Sequence, residues 1–417
     1  MKKQTVLFFP LLFSLFFAYA QSNEQEGILF KYKYKDGDNY RILSTVQEDV
    51  IRNYRMDHKG EIVNRISVKV TKVNPDGSAE HDTTFMTSEK AVGAFTGNSF
   101  TWGNEYRSIF TRDSKGIYTI GDEYFMPVVR NVPVFPDYPL KPGDKWQAEG
   151  HEAHDLRETF GVQEPYKVPF VADYTYNGPV STKDKSGKEK ILHEFDVSYS
   201  LYFESPSPEN QIMLVMDYPV QTMGFSKQKI YWDAEKGAID HYGENFRITI
   251  ATAAGNLYEF RGTAKAEVTE FQRTATEETV AKVQKQIQNL GVKDVSVSAG
   301  EKGLTLSIEN IQFLADSAVL LDSEKKKIET LAKIIEQYPD NDLLISGHCA
   351  LAGTAQERQE LSEERAAAVA DYLGKLGVKD TNRIFTQGFG ATKPVAPNNT
   401  PQGMAKNRRV EITILDN

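Results

Sequence analysis

The stretch LTLSIENIQFLADSAVLLDSEKKKIETLAKIIEQYPDNDLLISG, residues 304–347, changes its apolar period twice. Leu304, Leu306 and Ile308 alternate with polar neighbours, which is strand spacing. From Ser323 to Tyr338 the apolar residues Ile328, Leu331 and Ile335 recur at helical spacing, so one stripe of that helix faces inward. Leu343 to Gly347 is short and apolar, a second strand. Downstream, a long helix is predicted from about Gln356 to Leu376, with Ala366, Val369, Leu373 and Leu376 on one face. Strands at Ile384–Gln387 and Val410–Leu415 complete a β-α-β-α-β-β order over 304–417, an α/β sandwich.

Upstream of this unit the period is different. Thr276 to Leu290 carries Val280, Val283, Ile287 and Leu290 at helical spacing, and Val295 and Val297 alternate as a strand. Residues 274–303 therefore read as a helix-strand bridge, with Gly300 and Gly303 framing the turn that follows. From Gly27 to about Arg273 the pattern is β: Phe30, Tyr32 and Tyr34 alternate with lysines, as do Ile66, Val68 and Val70 with polar residues, and Phe195, Val197, Tyr199 and Leu201 with Asp196, Ser198 and Ser200. Turns are predicted at Asp36-Gly37, Lys59-Gly60, Pro75-Asp76-Gly77, Ser186-Gly187 and Lys236-Gly237, where glycine supplies φ > 0. Pro127 to Trp146 carries five prolines and reads as a connection. It divides two β-rich domains, 21–140 and 141–273. The fold class is α+β multidomain: a β-rich antiparallel N-terminal region plus the C-terminal sandwich.

Composition excludes some functions. At 417 residues and net charge −9, with basic residues interleaved among acids, the chain presents no bulk attraction for nucleic acid. Residues 1–20 read as a signal peptide: Lys2 and Lys3, the apolar run Val6–Ala18, and Ala18-Tyr19-Ala20 as a small-x-small cleavage site before Gln21. The only cysteine is Cys349, so neither an internal disulfide nor a lipid-bearing cysteine at the cleavage site is expected. No later run is apolar for long enough to span a membrane as a helix. A membrane-spanning barrel needs period-two strands, which are present. Against it stand strands read as short, the prolines of 127–146 and interleaved lysines.

Five ordered blocks carry a resemblance: FLADSAVL (313–320), ISGHCALAGT (345–354), LSEERAAAV (361–369), GFGATKPVAPNNT (388–400) and NRRVEI (407–412). Together they resemble the OmpA-like, peptidoglycan-associating domain family, and the GHCALAG form resembles a subgroup associated with spirochaetes. The resemblance implies a non-enzymatic module that grips the peptidoglycan stem peptide. In the family an aspartate and an arginine hold the zwitterionic end of diaminopimelate, since an ammonium and a carboxylate each want an opposite charge in a charge-assisted hydrogen bond. The arginine position matches Arg365, and the resemblance adds Asp316, Asn407 and Arg408. Three positions depart: Ala350 stands where the aspartate is expected, Arg358 replaces an asparagine, and Leu314 replaces the first acid of its block. The pocket should be more positive than usual, a better receptor for a carboxylate than for a zwitterion.

Other chemistry-bearing residues read as structural. His151 and His154 could face one side of a helix at i, i+3, but they fall in a segment read as a loop and no motif supplies a third metal ligand. His348 and Cys349 are strand neighbours that point to opposite faces, so they form no dyad. Gly388-Phe389-Gly390 lacks the strand-to-helix context of a phosphate cradle, and Asp144 and Trp146 read as a turn and a core edge. No cofactor, metal or catalytic constellation is expected. Two functional readings remain: a periplasmic, outer-membrane-associated protein tethered to peptidoglycan, or a module that has lost wall binding and contacts outer-membrane protein or lipid instead. An outer-membrane barrel is a third form of the β region.

Overall fold

The computed structural model describes residues 26–90, 100–103, 105–184, 187–206, 217–270, 274–300, 302–313 and 318–416. The expected signal peptide, Ser186 of the expected Ser186-Gly187 turn, Leu314 and Asp316 lie outside them. The strands of the N-terminal part are β1 (Asn39–Arg52), β2 (Arg55–Val73), β3 (Ala79–Glu89), β4 (Phe100–Thr101), β5 (Glu105–Arg112), β6 (Tyr118–Ile120), β7 (Val129–Arg130), β8 (Lys145–His154), β9 (Tyr166–Lys183), β10 (Glu189–Glu204), β11 (Pro219–Asp233), β12 (Ala238–Thr252) and β13 (Leu257–Glu270), with one short helix, α1 (Arg157–Phe160). The C-terminal part holds β14 (Val295–Ala299), β15 (Gly303–Glu309), β16 (Leu343–His348), β17 (Ile384–Gly388) and β18 (Arg409–Leu415), with helices α2 (Glu277–Asn289), α3 (Asp322–Ile335), α4 (Ala355–Lys375) and α5 (Pro401–Asn407).

All N-terminal strands except β4 join one twelve-stranded sheet in the order β6-β5-β3-β2-β1-β13-β12-β11-β10-β9-β8-β7. Adjacent strands are antiparallel, and β1 pairs with β13 from Tyr40↔Glu270 to Arg52↔Tyr258, so the first long strand lies beside the last. The edges come round to meet each other, because the amide of Tyr118 in β6 donates to Asn131 Oδ1 just after β7 at 2.9 Å. The expected division at 140/141 thus falls within one sheet, where β7 pairs with β8. The proline-rich stretch is not a spacer. It folds back over the sheet, burying Phe135 and Leu140, and Leu140 exchanges two 2.8 Å backbone hydrogen bonds with Ile28.

Period two decides which face is buried. Along β9, Val168, Phe170, Ala172, Tyr174 and Tyr176 point in, and Lys167, Asp173 and Asn177 point out. The interior is aromatic: Trp232 meets Tyr32 and Phe135 edge-on, each with ring centroids 4.7 Å away. Trp146, the expected core edge, stacks on Tyr174 at 5.0 Å, and Asp144 caps its turn by accepting from the Lys141 amide at 2.7 Å. The outward face carries ion pairs such as Lys229–Glu194 at 2.5 Å and Arg247–Glu259 at 2.7 Å. That is the reverse of the apolar band which a membrane-spanning barrel presents. The strands are not short, since β2 has 19 residues and β9 has 18; strand length argues nothing against a barrel, and the charged outer face does.

Two local expectations are corrected. Gly60 lies inside β2, and the hairpin before it turns at Asn53 and Tyr54, which adopt φ of 50° and 64°. Neither residue is glycine, so the turn carried no glycine signal. His151 and His154 lie on β8, not in a loop.

The C-terminal sheet runs β14-β15-β18-β16-β17-β4, with β16 and β17 parallel. The expected β-α-β-α-β-β order is present, extended by β14, which pairs with β15, and by the short α5. Helix α2 begins at Thr276, whose side chain accepts from the Thr279 amide. Helices α3 and α4 bury Ile328, Leu331, Val369 and Leu373 against Leu343, Ile345, Ile412 and Ile414. The other face of this sheet shows Leu344, Phe385 and Leu415, which pack on Val63, Met86 and Phe100 of the N-terminal part. Phe100 and Thr101 add a parallel edge to β17. Arg65 pairs with Asp342 inside this seam, where Arg383 Nε also reaches Asp342 at 2.8 Å. The two parts share a core.

Candidate functional site

The pocket forms where β16 ends. After His348 the chain turns through Cys349–Gly353 into Thr354, which caps α4: its Oγ1 accepts from the Glu357 amide at 3.2 Å, and Glu357 Oε2 accepts from the Thr354 amide at 2.8 Å. This box aligns α4 so that Arg358 and Arg365, nearly two turns apart, lie on one side of the helix. Helix α5 brings Met404 and Arg408 across from them. Together with Cys349, Ala350 and Gly353 these residues line a pocket of about 610 Å³.

Three guanidinium groups converge here. Arg358 Nη1 donates to Gly353 O at 2.5 Å, and Arg365 Cζ stands 4.9 Å from the Phe313 ring centroid. The Nε atoms of both arginines are buried without a hydrogen-bond partner among the described residues. Burial, opposed by the Cys349 thiol and reinforced by Arg408, holds the Arg365 pKa below its ordinary value. Three acids of α4 also line the pocket: Glu357 is held by the capping box, Glu360 accepts from Gln356 at 2.8 Å, and the charge of Glu364 partly offsets the burial of Arg365. Ala350 is buried in the wall and offers no carboxylate. Such an arrangement receives an anion: a carboxylate takes paired hydrogen bonds from a guanidinium fork.

The residues proposed from the sequence separate into groups. Arg365, Arg358, Arg408 and Ala350 come together at this pocket. Asn407 does not open into it. That side chain is buried, its Oδ1 accepting from the amides of Val395 and Ala396 at 2.8 and 3.1 Å, its Nδ2 donating to Ala396 O and Asn398 Oδ1 at 2.8 and 2.9 Å. Asn398 Oδ1 in turn accepts from the Leu351 amide at 3.0 Å. Asn407 thus ties the 395–398 loop to the turn that forms the pocket wall, a positioning task that no spacing in the sequence announces.

Cys349 and His348 do not act together. Burial pushes the Cys349 thiol up, and it donates to Arg358 O at 3.4 Å. His348 turns away, stacked on Phe389 at 5.1 Å with Nε2 3.5 Å from Glu411 Oε2. Gly390, with φ of 49°, belongs to a backbone turn in which the Phe389 amide donates to Gly347 O at 3.0 Å. His154 Nε2 lies 2.8 Å from Glu152 Oε2 inside the sheet, whereas His151, three positions earlier on the strand, faces the other way. No group of three potential metal ligands occurs among the described residues.

Residues 312–408 match the OmpA family. The chain is 34% identical over 135 residues to the probable lipoprotein YiaD of Escherichia coli (strain K12), a match covering 32% of this chain and 60% of that protein. It is 38% identical over 104 residues to the peptidoglycan-binding protein ArfA of Mycobacterium tuberculosis, covering 25% of this chain and 32% of that one. The chain therefore spans less than two thirds of the length of these relatives. Among solved structures, an outer membrane protein from Borrelia burgdorferi B31 is 42% identical, with a TM-score of 0.25, covering 29% of this chain and 96% of the other.

Proposed function

We propose that the OmpA family domain of this chain associates with peptidoglycan through the arginine pocket, tethering the β-rich body to the wall. The protein is a non-enzymatic cell-envelope component. The carrying observation is the convergence of Arg358, Arg365 and Arg408 on a pocket of about 610 Å³, with two buried Nε atoms unpartnered among the described residues. A stem peptide offers carboxylates, and a guanidinium holds a carboxylate through paired charge-assisted bonds. The name of the ArfA relative, a peptidoglycan-binding protein, supports the same reading. Export to the periplasm, with association to the outer membrane, goes with it.

Ala350 specifies the ligand further. With no acid at this position the turn after β16 offers no carboxylate to an ammonium, so the pocket prefers a free carboxylate to the zwitterionic end of diaminopimelate. Losing one charge-assisted hydrogen bond costs on the order of 1.5–3 kcal/mol, roughly ten- to a hundredfold in affinity. The full chain should sediment with isolated sacculi, and Arg365→Ala should weaken that sedimentation at least about tenfold. Ala350→Asp should raise affinity for diaminopimelate peptides in titration calorimetry, with Arg358→Asn as a second step. The competing reading, a module that has lost wall binding, draws on Ala350 and on the engagement of Arg358 with Gly353 O. It wins if sacculi leave the native chain in the supernatant.

A further inference from the structure

The hairpin joining β1 and β2 ends in a turn that is costly to build. Asn53 and Tyr54 both sit at positive φ, and a bulky residue such as tyrosine is rarely found there. Three hydrogen bonds to the next hairpin hold Asn53 in place: its amide donates to Leu257 O at 2.8 Å, its Oδ1 accepts from the Leu257 amide at 2.8 Å, and its Nδ2 donates to Asn256 Oδ1 at 3.0 Å. Tyr54 packs on little, at 88% exposure, and Met56 beside it is 48% exposed. Backbone strain of this kind persists only where the surrounding structure holds it, as these three hydrogen bonds do.

The charges around the tip are ordered. Arg52 and Arg55 flank the turn and line, with Asn53, Met56 and Asp57, an open recess of about 490 Å³. The nearby acids have other partners: Asp57 meets His58 at 2.8 Å, and Asp49 meets Lys59 at 3.6 Å and Arg261 at 3.3 Å. Arg52 lies 5.3 Å over the Tyr258 ring.

A second observation comes from the register. Following the pairing across the sheet, Tyr202↔Met223, Met223↔Thr249, Thr249↔Glu259, Glu259↔Ile51 and Ile51↔Met56 form one row on the outward face, just short of the tip. Tyr202 is 65% exposed and Met223 36%. Glu259, the acid of the row, is neutralised by Arg247 at 2.7 Å and Arg261 at 3.5 Å. Single apolar residues such as Val171 and Ile191 are exposed elsewhere on the outward face, but this end sets tyrosine and methionine beside Arg52 and Arg55.

We propose that this end of the sheet docks on an anionic lipid surface, with Arg52 and Arg55 on headgroup phosphates and Tyr54 and Met56 at the interface. Tyrosine favours that depth because it has an apolar body and a polar tip. Basic residues near an anionic bilayer add an attraction that a soluble phosphate alone would share, but a soluble anion has no use for the exposed Tyr54 and Met56. Leu43, where β1 meets the C-terminal domain, is nine residues from Arg52, so the tip stands about 30 Å beyond that contact.

The test is flotation of the full chain with vesicles of equal parts phosphatidylethanolamine and phosphatidylglycerol, against vesicles of phosphatidylcholine alone. The chain should float with the anionic vesicles only, and less so as salt rises. Arg52→Gln and Arg55→Gln should each lower partitioning about fivefold. Tyr54→Gly separates display from folding: glycine relieves the positive φ, so the melting temperature should hold or rise while partitioning falls. Equal flotation with both vesicle types, or partitioning unmoved by the arginine and tyrosine variants, overturns the proposal. So does a photo-crosslinker at position 54 that captures an envelope protein and no phospholipid.

Discussion

The N-terminal sheet closes around Trp232, Tyr174, Tyr176, Phe135 and Phe195, whereas the C-terminal sandwich closes around Ile328, Leu331, Ile345, Val369 and Ile412. The difference follows from geometry. A sheet curled on itself leaves a wide interior that has no helix to fill it, so the inward positions carry rings that reach across the middle. Helices laid on a sheet approach to the depth of a branched aliphatic side chain, and Ile, Leu, Val and Ala suffice. Polar groups differ too. The sheet interior encloses hydrogen bonds in which Tyr199 donates to Glu152 at 2.8 Å and Ser226 donates to Glu244 at 2.6 Å, while the buried cluster of the sandwich is aliphatic.

The largest effect should come from the ring at the centre of the sheet. Trp232→Ala removes a side chain with no exposed surface, and a loss of about 3–5 kcal/mol is expected in denaturant unfolding. If the parts fold separately, this variant should leave the helical signal of α3 and α4 unfolding at its native midpoint. If the shared seam couples them, both signals shift together.

The seam itself gives the next test. Arg65 and Asp342 are buried, 4% exposed each, and removing one partner of a buried pair costs about 3–5 kcal/mol. Arg383 still holds Asp342, so Arg65→Met should cost less than that range, and it should split one melting transition into two in calorimetry. A single unsplit transition at the native temperature would mean that the contact contributes nothing to coupling.

Acid separates the halves more gently. Burial, with the charge of Arg112, lowers the His81 pKa from 6.5 to about 4. The folded sheet therefore binds fewer protons than the unfolded chain in that window, and stability is lost as pH falls from about 6.5 toward 4. Burial also lowers His193 and, with Arg130, His151. In the sandwich, burial would raise Glu411, but His348 and Arg409 hold it down, from 4.5 to about 2, so its contribution is lost only as pH falls below about 4.5. His348 is the one C-terminal imidazole pushed down by burial. Tryptophan fluorescence, which reports the sheet interior through Trp146 and Trp232 and the seam through Trp102, should change at higher pH than the helical circular dichroism. His81→Phe should move the fluorescence onset to lower pH; an onset that stays put would remove His81 from the explanation.

Sequence alone carried the C-terminal order because its helices and strands differ in period, and period is a local property of the chain. It also carried the β character and the buried face of the N-terminal strands, since alternation of residues such as Phe195, Val197 and Tyr199 is equally local. Which strand lies beside which was not local. The pairing of β1 with β13 joins residues some two hundred positions apart, and no residue type near Tyr40 names Glu270 as its neighbour. The turn at Asn53-Tyr54 escaped because tertiary hydrogen bonds, not glycine, hold its backbone, and Pro127–Trp146 read as a spacer because its burial depends on a surface built elsewhere. For the pocket, blocks of resemblance placed Arg365, Arg408, Ala350 and Arg358, but only the fold could bring helix α4, the turn after β16 and helix α5 to one place. The closing cause is the same throughout: a sequence states which side of an element avoids water, and the tertiary structure decides what covers it.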